Sequence, residues 1–257
     1  MCQANVTATM LTVREHYDEV LSPYYSRMFG DFETKVGEQQ ALLERLATRA
    51  AHGDSMAVDL GCGSGFQSIA LARLGFRVLA VDFSRRLLDE LNARAGGVSV
   101  TAVTGDIRDV AALAPSGVEV VACMGDTLSH LEHLEDLDRV FEGSAARLAT
   151  GGRLILTFRD LSGEFRGLDR FIPVCRSDDL IMTCFLEYEA MTVKVHDLIW
   201  VRQPDGWHFR KGVYRKLRLT PAVVADHLEK AGFAVARHEA PAGMVALVGT
   251  LIGSDRV

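Results

Sequence analysis

From residue 56 onward, short apolar runs alternate with segments whose apolar positions recur every three or four residues. That is the pattern of strands alternating with amphipathic helices. Strands are predicted at 56–60, 77–81, 98–103, 118–124 and 154–158. Helices are predicted at 66–74, stopped by Gly75, at 84–94 behind Ser84 as N-cap, and at 134–148, ending near Gly151-Gly152. This alternation predicts an α/β unit with a mainly parallel sheet covered on both faces. Ligands are then expected beyond the carboxyl ends of its strands.

The flanking regions read differently. The first 50 residues are expected to be helical, with an aromatic-rich stretch over 17–29 broken at Pro23. A second helix is expected from about Thr34, with Leu42, Leu43 and Leu46 on its buried face. After Asp160 the period drops to two. Residues 180–188, 192–202 and 207–217 read as strands joined by tight links, Pro204-Asp205-Gly206 being one turn. They predict an antiparallel three-stranded β insertion. Thr220-Pro221 opens a further helix that ends at Gly232, and 233–237 and 244–251 read as two closing strands. The chain therefore divides into a helical N-terminal lid (1–52), a core (53–162 and 218–257) and an insertion (163–217) that interrupts the core.

Composition narrows the function. A length of 257 residues, 48% hydrophobic and 24% charged, is ample for a buried core. A net charge of −6 gives no general attraction to polyphosphate, so no nucleic-acid partner is expected. No apolar run approaches membrane-spanning length, and the amino terminus lacks the look of a signal peptide, so a cytoplasmic protein is expected. Cys2, Cys62, Cys123, Cys175 and Cys184 form no CxxC pair or zinc-like cluster. Scattered thiols suit a reducing compartment, with Cys62 and Cys123 expected as small buried residues.

The chemistry gathers at the predicted strand ends. Gly61-x-Gly63-x-Gly65 lies between a strand and a helix and follows Asp59 inside the strand. Such glycines let backbone turn sharply beside a ligand. A dinucleotide fingerprint needs a third glycine where this chain has Phe66, which counts against a nicotinamide-dependent oxidoreductase. Asp82 ends the second strand, where a carboxylate accepts hydrogen bonds from both hydroxyls of a ribose; the alternative is a helix-capping acid beside Ser84. Gly105-Asp106-Ile107 follows the third strand and suits an adenine amino group and ring face, although Asp106 by itself is equally an ordinary loop acid.

Taken together, Val58-Asp59-Leu60-Gly61-Cys62-Gly63-Ser64-Gly65, Val81-Asp82 and Gly105-Asp106-Ile107 resemble the first three motifs of class I S-adenosylmethionine-dependent methyltransferases. The resemblance spans about 56–160. It extends to the glycine N-methyltransferases and their relatives through Tyr25-Ser26-Arg27-Met28-Phe29-Gly30-Asp31 and through Cys123-Met124-Gly125-Asp126-Thr127-Leu128-Ser129-His130-Leu131. It implies a Rossmann-like, seven-stranded fold with a lid, and S-adenosylmethionine as cofactor, leaving as S-adenosylhomocysteine. Asp59 and the glycines are then expected at the methionine end, Asp82 at the ribose, and Asp106 with Ile107 at the adenine. Tyr25, Cys62, Phe83 and Met124 complete the expected contacts, with Lys35 as the basic residue for the methionine carboxylate. Asp126 departs from the Asn usual in that family.

On the acceptor side, Asp126 and His130 follow the fourth strand. Asp126 is expected to orient or deprotonate an acceptor, or else to cap the next turn; His130 shares the pocket or begins the helix. Arg159 ends the fifth strand and is expected to hold an acidic group of the substrate, or else a surface ion pair. Asp126 with Asp160 also invites a magnesium site, but only two oxygen ligands are visible, and no metal is expected. Tyr17, Tyr24 and Tyr25 either close over the site or pack in the core. One face of the insertion, His196 and Trp200 or Asp197 and Ile199, covers the pocket or a partner subunit, a homodimer being the second case. The expected reaction is methyl transfer to N, O or S of a small molecule. The rivals are a non-catalytic cofactor-binding protein and, further off, the oxidoreductase.

Overall fold

The computed structural model describes residues 10–46 and 48–253; Cys2 lies outside them. Five parallel strands come first: β1 (Met56–Leu60), β2 (Arg77–Asp82), β3 (Val100–Thr104), β4 (Val118–Cys123) and β5 (Leu148–Arg159). An inserted hairpin series follows, β6 (Phe171–Arg176), β7 (Leu180–Tyr188), β8 (Thr192–Gln203) and β9 (Gly206–Leu217), before β10 (Phe233–Glu239) and β11 (Met244–Leu251) close the chain. The helices are α1 (Val13–His16), α2 (Phe32–Arg45), α3 (Phe66–Arg73), α4 (Arg85–Arg94), α5 (Val110–Leu113), α6 (Asp136–Ala145) and α7 (Pro221–Lys230).

The main sheet has seven strands in the order β10-β11-β5-β4-β1-β2-β3, and only β11 runs antiparallel to its neighbours. Alternation along the strands explains its two covered faces. Ala57, Ala80, Ala122 and Ile155 pack under the side chains of α2, α3 and α4, including Leu43, Ile69 and Leu91. Val58, Val81, Val121 and Leu154 point the other way, onto α6 and α7 through Val140, Phe141, Val224 and Leu228. Both layers bury apolar surface, the dominant favourable contribution to the fold.

The inserted sheet has four strands, β6-β7-β8-β9, one more than the sequence predicted. The extra strand, β6, carries Pro173 and an irregularity between Pro173 and Cys175, features tolerated at a sheet edge but destructive of the period-two signal. Strand β5 also begins earlier than expected. It pairs with β4 at Val118↔Leu148, slips, and resumes at Val120↔Arg153, so Gly151 and Gly152 sit in a bulge where the sequence suggested a helix end.

The N-terminal segment is helical but broken. Thr12 and Glu15 form a reciprocal capping box at α1. The chain continues through a π-turn at Tyr17–Leu21, ends at Ser22-Pro23, and makes a 3-10 turn at Tyr25–Phe29. Helix α2 starts at Phe32, two residues before the expected Thr34, because Asp31 caps it by accepting the Thr34 amide at 2.8 Å.

Candidate functional site

The carboxyl ends of β1 to β4 open into a cavity of about 300 Å³, roofed by the N-terminal segment. Gly61 and Gly63 line it from the loop after β1, with Asp82 at the end of β2 and Phe83 beyond it, Asp106 and Ile107 after β3, and Thr127 and His130 after β4. Tyr17 and Tyr25 close it from above.

Backbone geometry makes the loop. Gly61, Gly63 and Gly65 all have positive φ (72°, 53° and 95°), a region costly for residues with a Cβ. Space adds a second constraint: a Cβ at Gly63 would meet the Tyr25 ring at 3.0 Å, and one at Gly65 would collide with Leu91. Asp82 fastens the loop. Its Oδ2 accepts the Gly63 amide and its Oδ1 the Ser84 amide, both at 2.8 Å. Burial pushes its carboxyl above the ordinary value, against the pull of those two amides.

Asp106 is held by Arg108 in a two-point fork, Nη2 to Oδ2 at 2.7 Å and Nε to Oδ1 at 3.0 Å. Burial alone would raise its carboxyl; the Arg108 hydrogen bonds outweigh that and set it below the usual range. Arg108 reaches on to Asp136 at 3.4 Å.

Behind the cavity wall, in the loop after β4, Asp126 is a largely buried carboxylate between two cations, its side chain 11% exposed. Its Oδ2 accepts Lys216 Nζ at 3.0 Å and Arg159 Nη1 at 2.5 Å, and its Oδ1 accepts the Arg159 amide at 3.2 Å. Burial would raise its carboxyl, but the charges of Lys216 and Arg159 prevail and hold it far below the usual range. His130 is half-buried; its Nε2 is shielded from solvent and has no hydrogen-bond partner among the described residues. Burial, reinforced by the Lys216 charge, lowers its pKa to about 3, so the ring is neutral at pH 7.

The expected contacts therefore separate into two groups. Tyr25, Gly61, Gly63, Asp82, Phe83, Asp106 and Ile107 line the cavity, as does His130. Lys35 does not. It pairs with Glu38 at 2.9 Å and faces the Phe29 ring, because its place on α2 turns it outward. Asp59, Cys62, Gly65 and Met124 lie beneath the surface of the loop. Asp59 accepts Ser68 Oγ at 2.6 Å, and burial raises its pKa to about 7. Arg159, expected to hold an acidic substrate group, is instead spent on Asp126. Among the described residues no group of three or more acidic, His or Cys side chains is placed to hold a metal ion.

Sequence reasoning missed several wall residues. Thr12, Arg14, Thr127, Leu131 and Glu132 also line the cavity. Arg14 is folded over the site by α1, donating to the Phe83 carbonyl at 3.2 Å, and nothing in its local sequence marks it. Lys216 comes from β9, some 90 residues from Asp126, so no local motif could have joined them. Nor could one have revealed the buried contact of His16 Nε2 with Asp197 Oδ2 at 2.7 Å, which ties the N-terminal segment to the inserted sheet. Asp197 and Ile199 thus form the inward face of β8.

Residues 57–152 match a family described as "Methyltransferase domain". The chain is 33% identical over 117 residues to a ubiquinone biosynthesis O-methyltransferase of Xanthomonas euvesicatoria pv. vesicatoria, covering 45% of this chain and 47% of that protein. It is 34% identical over 152 residues to a cypemycin N-terminal methyltransferase of a Streptomyces species, covering 53% and 61%. The chain thus spans about half the length of these curated relatives. An S-adenosylmethionine-bound amino pentose methyltransferase of Micromonospora echinaspora superposes with a TM-score of 0.70 at 18% identity, over 89% of this chain and 95% of that one. The fold is therefore that of the class I methyltransferases.

Proposed function

We propose that this chain, which carries a methyltransferase domain over residues 57–152, transfers a methyl group from S-adenosylmethionine to N, O or S of a small molecule and releases S-adenosylhomocysteine. The observation that carries the reading is the cavity itself. A glycine loop, a ribose-type acid at the end of β2 and an acid followed by an apolar residue after β3 converge on one space of about 300 Å³. Both relatives are named methyltransferases, and the superposed structure holds the same cofactor.

The residues fit that cofactor. Each Asp82 oxygen accepts only one amide, leaving acceptor capacity for two ribose hydroxyls. Ile107 offers an apolar surface to the adenine ring, and Asp106, fixed by Arg108, an acceptor to its amino group. Gly61 and Gly63 let the methionine end approach the backbone, under Tyr25. Bound there, the cofactor supplies an electrophilic methyl group on a sulfonium that is already a strong leaving group. What remains for the protein is to exclude water, align the acceptor and handle its proton. Tyr17, Tyr25 and Phe83 supply an aromatic wall. His130 offers an Nε2 without a hydrogen-bond partner among the described residues, whereas Asp126 and Arg159 act by holding each other and Lys216 in place.

The core (53–162 and 218–257) binds the cofactor in this reading, while the N-terminal segment (1–52) and insertion (163–217) close the site. The acceptor is a small molecule and not a nucleic acid, in keeping with the net charge of −6. No helix among the described residues is long and apolar enough to cross a membrane, and the four described cysteines are free thiols, which supports a cytoplasmic protein. The outward row Ile181, Trp200 and Phe209 on the inserted sheet supports a homodimer. The test is transfer of tritium from methyl-labelled cofactor into amine, hydroxyl and thiol acceptors, with equal release of S-adenosylhomocysteine. Tight cofactor binding without transfer to any of them would favour a non-catalytic binding protein.

A further inference from the structure

A second cavity, of about 330 Å³, adjoins the first and shares Thr12, Val13, His130, Leu131 and Glu132 with it. It runs under β8 and β9 of the inserted sheet, between the apolar side chains of Leu11, Val13, Leu131 and Leu217. Its position deepens the cofactor reading and depends on it: a molecule lying there would meet the cofactor at His130.

The charges on its walls are unequal in availability. Lys216 is committed to Asp126 at 3.0 Å, and Arg215 to Glu189 at 2.8 and 3.1 Å. Glu132 lines both cavities and has neither an ion pair nor a hydrogen bond among the described residues. Among the charged side chains that line this cavity, Glu132 is thus the one without a partner of opposite charge among the described residues. Asp126, behind the walls of both cavities, is committed as well: its Oδ2 accepts the Lys216 and Arg159 side chains and its Oδ1 the Arg159 amide. His130 retains a shielded, unpartnered Nε2 among the described residues.

We infer that the second cavity is the acceptor site and that it takes an amine on a mainly apolar scaffold, with Glu132 receiving the cationic end. An amine needs no base on the protein. Bound as its ammonium and having released a proton to water, it uses its own lone pair to form the bond to carbon. The breaking carbon–sulfur bond leaves its electron pair on sulfur, and the new ammonium sheds its proton to water.

The experiment uses 2-phenylethylamine and its isostere 2-phenylethanol, titrated calorimetrically into the protein saturated with S-adenosylhomocysteine. The amine is expected to bind about fivefold more tightly than the alcohol, the effect of one partly solvated charge pair. Glu132→Gln erases the preference, while Glu135→Gln, an exposed acid outside both cavities, keeps it. Equal binding of the two probes, a preference that survives Glu132→Gln, or no amine binding up to about 10 mM overturns the inference. If S-adenosylhomocysteine fails to saturate the protein, the cofactor reading falls first and takes this inference with it.

Discussion

Replacing Asp126 with Asn removes the charge that holds the inserted sheet to the core. Lys216 lies on β9 and Asp126 after β4; their side chains are only 12% and 11% exposed, so neither is well hydrated. Without the carboxylate the Lys216 ammonium stays buried and uncompensated, at a cost of about 3 kcal/mol. Arg159 adds little, because its side chain is 54% exposed and such pairs contribute at most about 1 kcal/mol. Urea unfolding at pH 7 reads this directly. With a slope of about 3 kcal/mol per molar urea, the midpoint of Asp126→Asn falls by about 1 M. Removing both charges, in Asp126→Asn with Lys216→Met, should cost less than the sum of the single changes by about 2 kcal/mol. The acid dependence has a fixed sign. The folded-state carboxyl is depressed, so its stabilisation is present above the unfolded value of about 3.9 and is lost as pH falls below it. Additive costs, or a midpoint unmoved in the single variant, would refute the lock.

Two further outcomes concern the acids of β1 and β2. Asp82→Ala should weaken S-adenosylhomocysteine binding by about 1–3 kcal/mol, by leaving ribose hydroxyls and the Gly63 amide without their acceptor; an unchanged calorimetric affinity would remove Asp82 from that role. Asp59 carries the opposite pH signature to Asp126. Burial raises its pKa to about 7, so the folded state holds a proton that the unfolded chain releases near pH 4, and stability declines as pH rises between those values. From pH 5 to pH 8 this amounts to about 3 kcal/mol, and urea midpoints of Asp59→Asn should lack that decline; an identical decline in both proteins would contradict it.

The parallel strands and the glycine loop were legible because their signals are local. A strand such as Met56–Leu60 runs straight into three glycines, and all three adopt positive φ. Gly65 shows the limit of such a reading: its motif suggested ligand contact, whereas its lack of a Cβ makes room for Leu91 from α4. The same limit separates Asp82, which faces the cavity, from Asp59, which stays buried on Ser68. Residue type and spacing name a strand end but not the direction of each side chain there. The acceptor side was the least legible: Asp126 and Arg159 sit at the ends of the adjacent strands β4 and β5, but Lys216 reaches them from β9 of the insertion, far away in sequence. Lys35 failed for a related reason: being the nearest basic residue in sequence does not set the face of α2 on which it lies.

The central claim is that the cavity beyond β1, β2 and β3 binds S-adenosylmethionine. Calorimetric titration of the purified protein with S-adenosylmethionine, S-adenosylhomocysteine and NADH tests it most directly. The account predicts binding of the first two at about micromolar affinity and none of the third. Binding of NADH alone, or of none of the three, would contradict it.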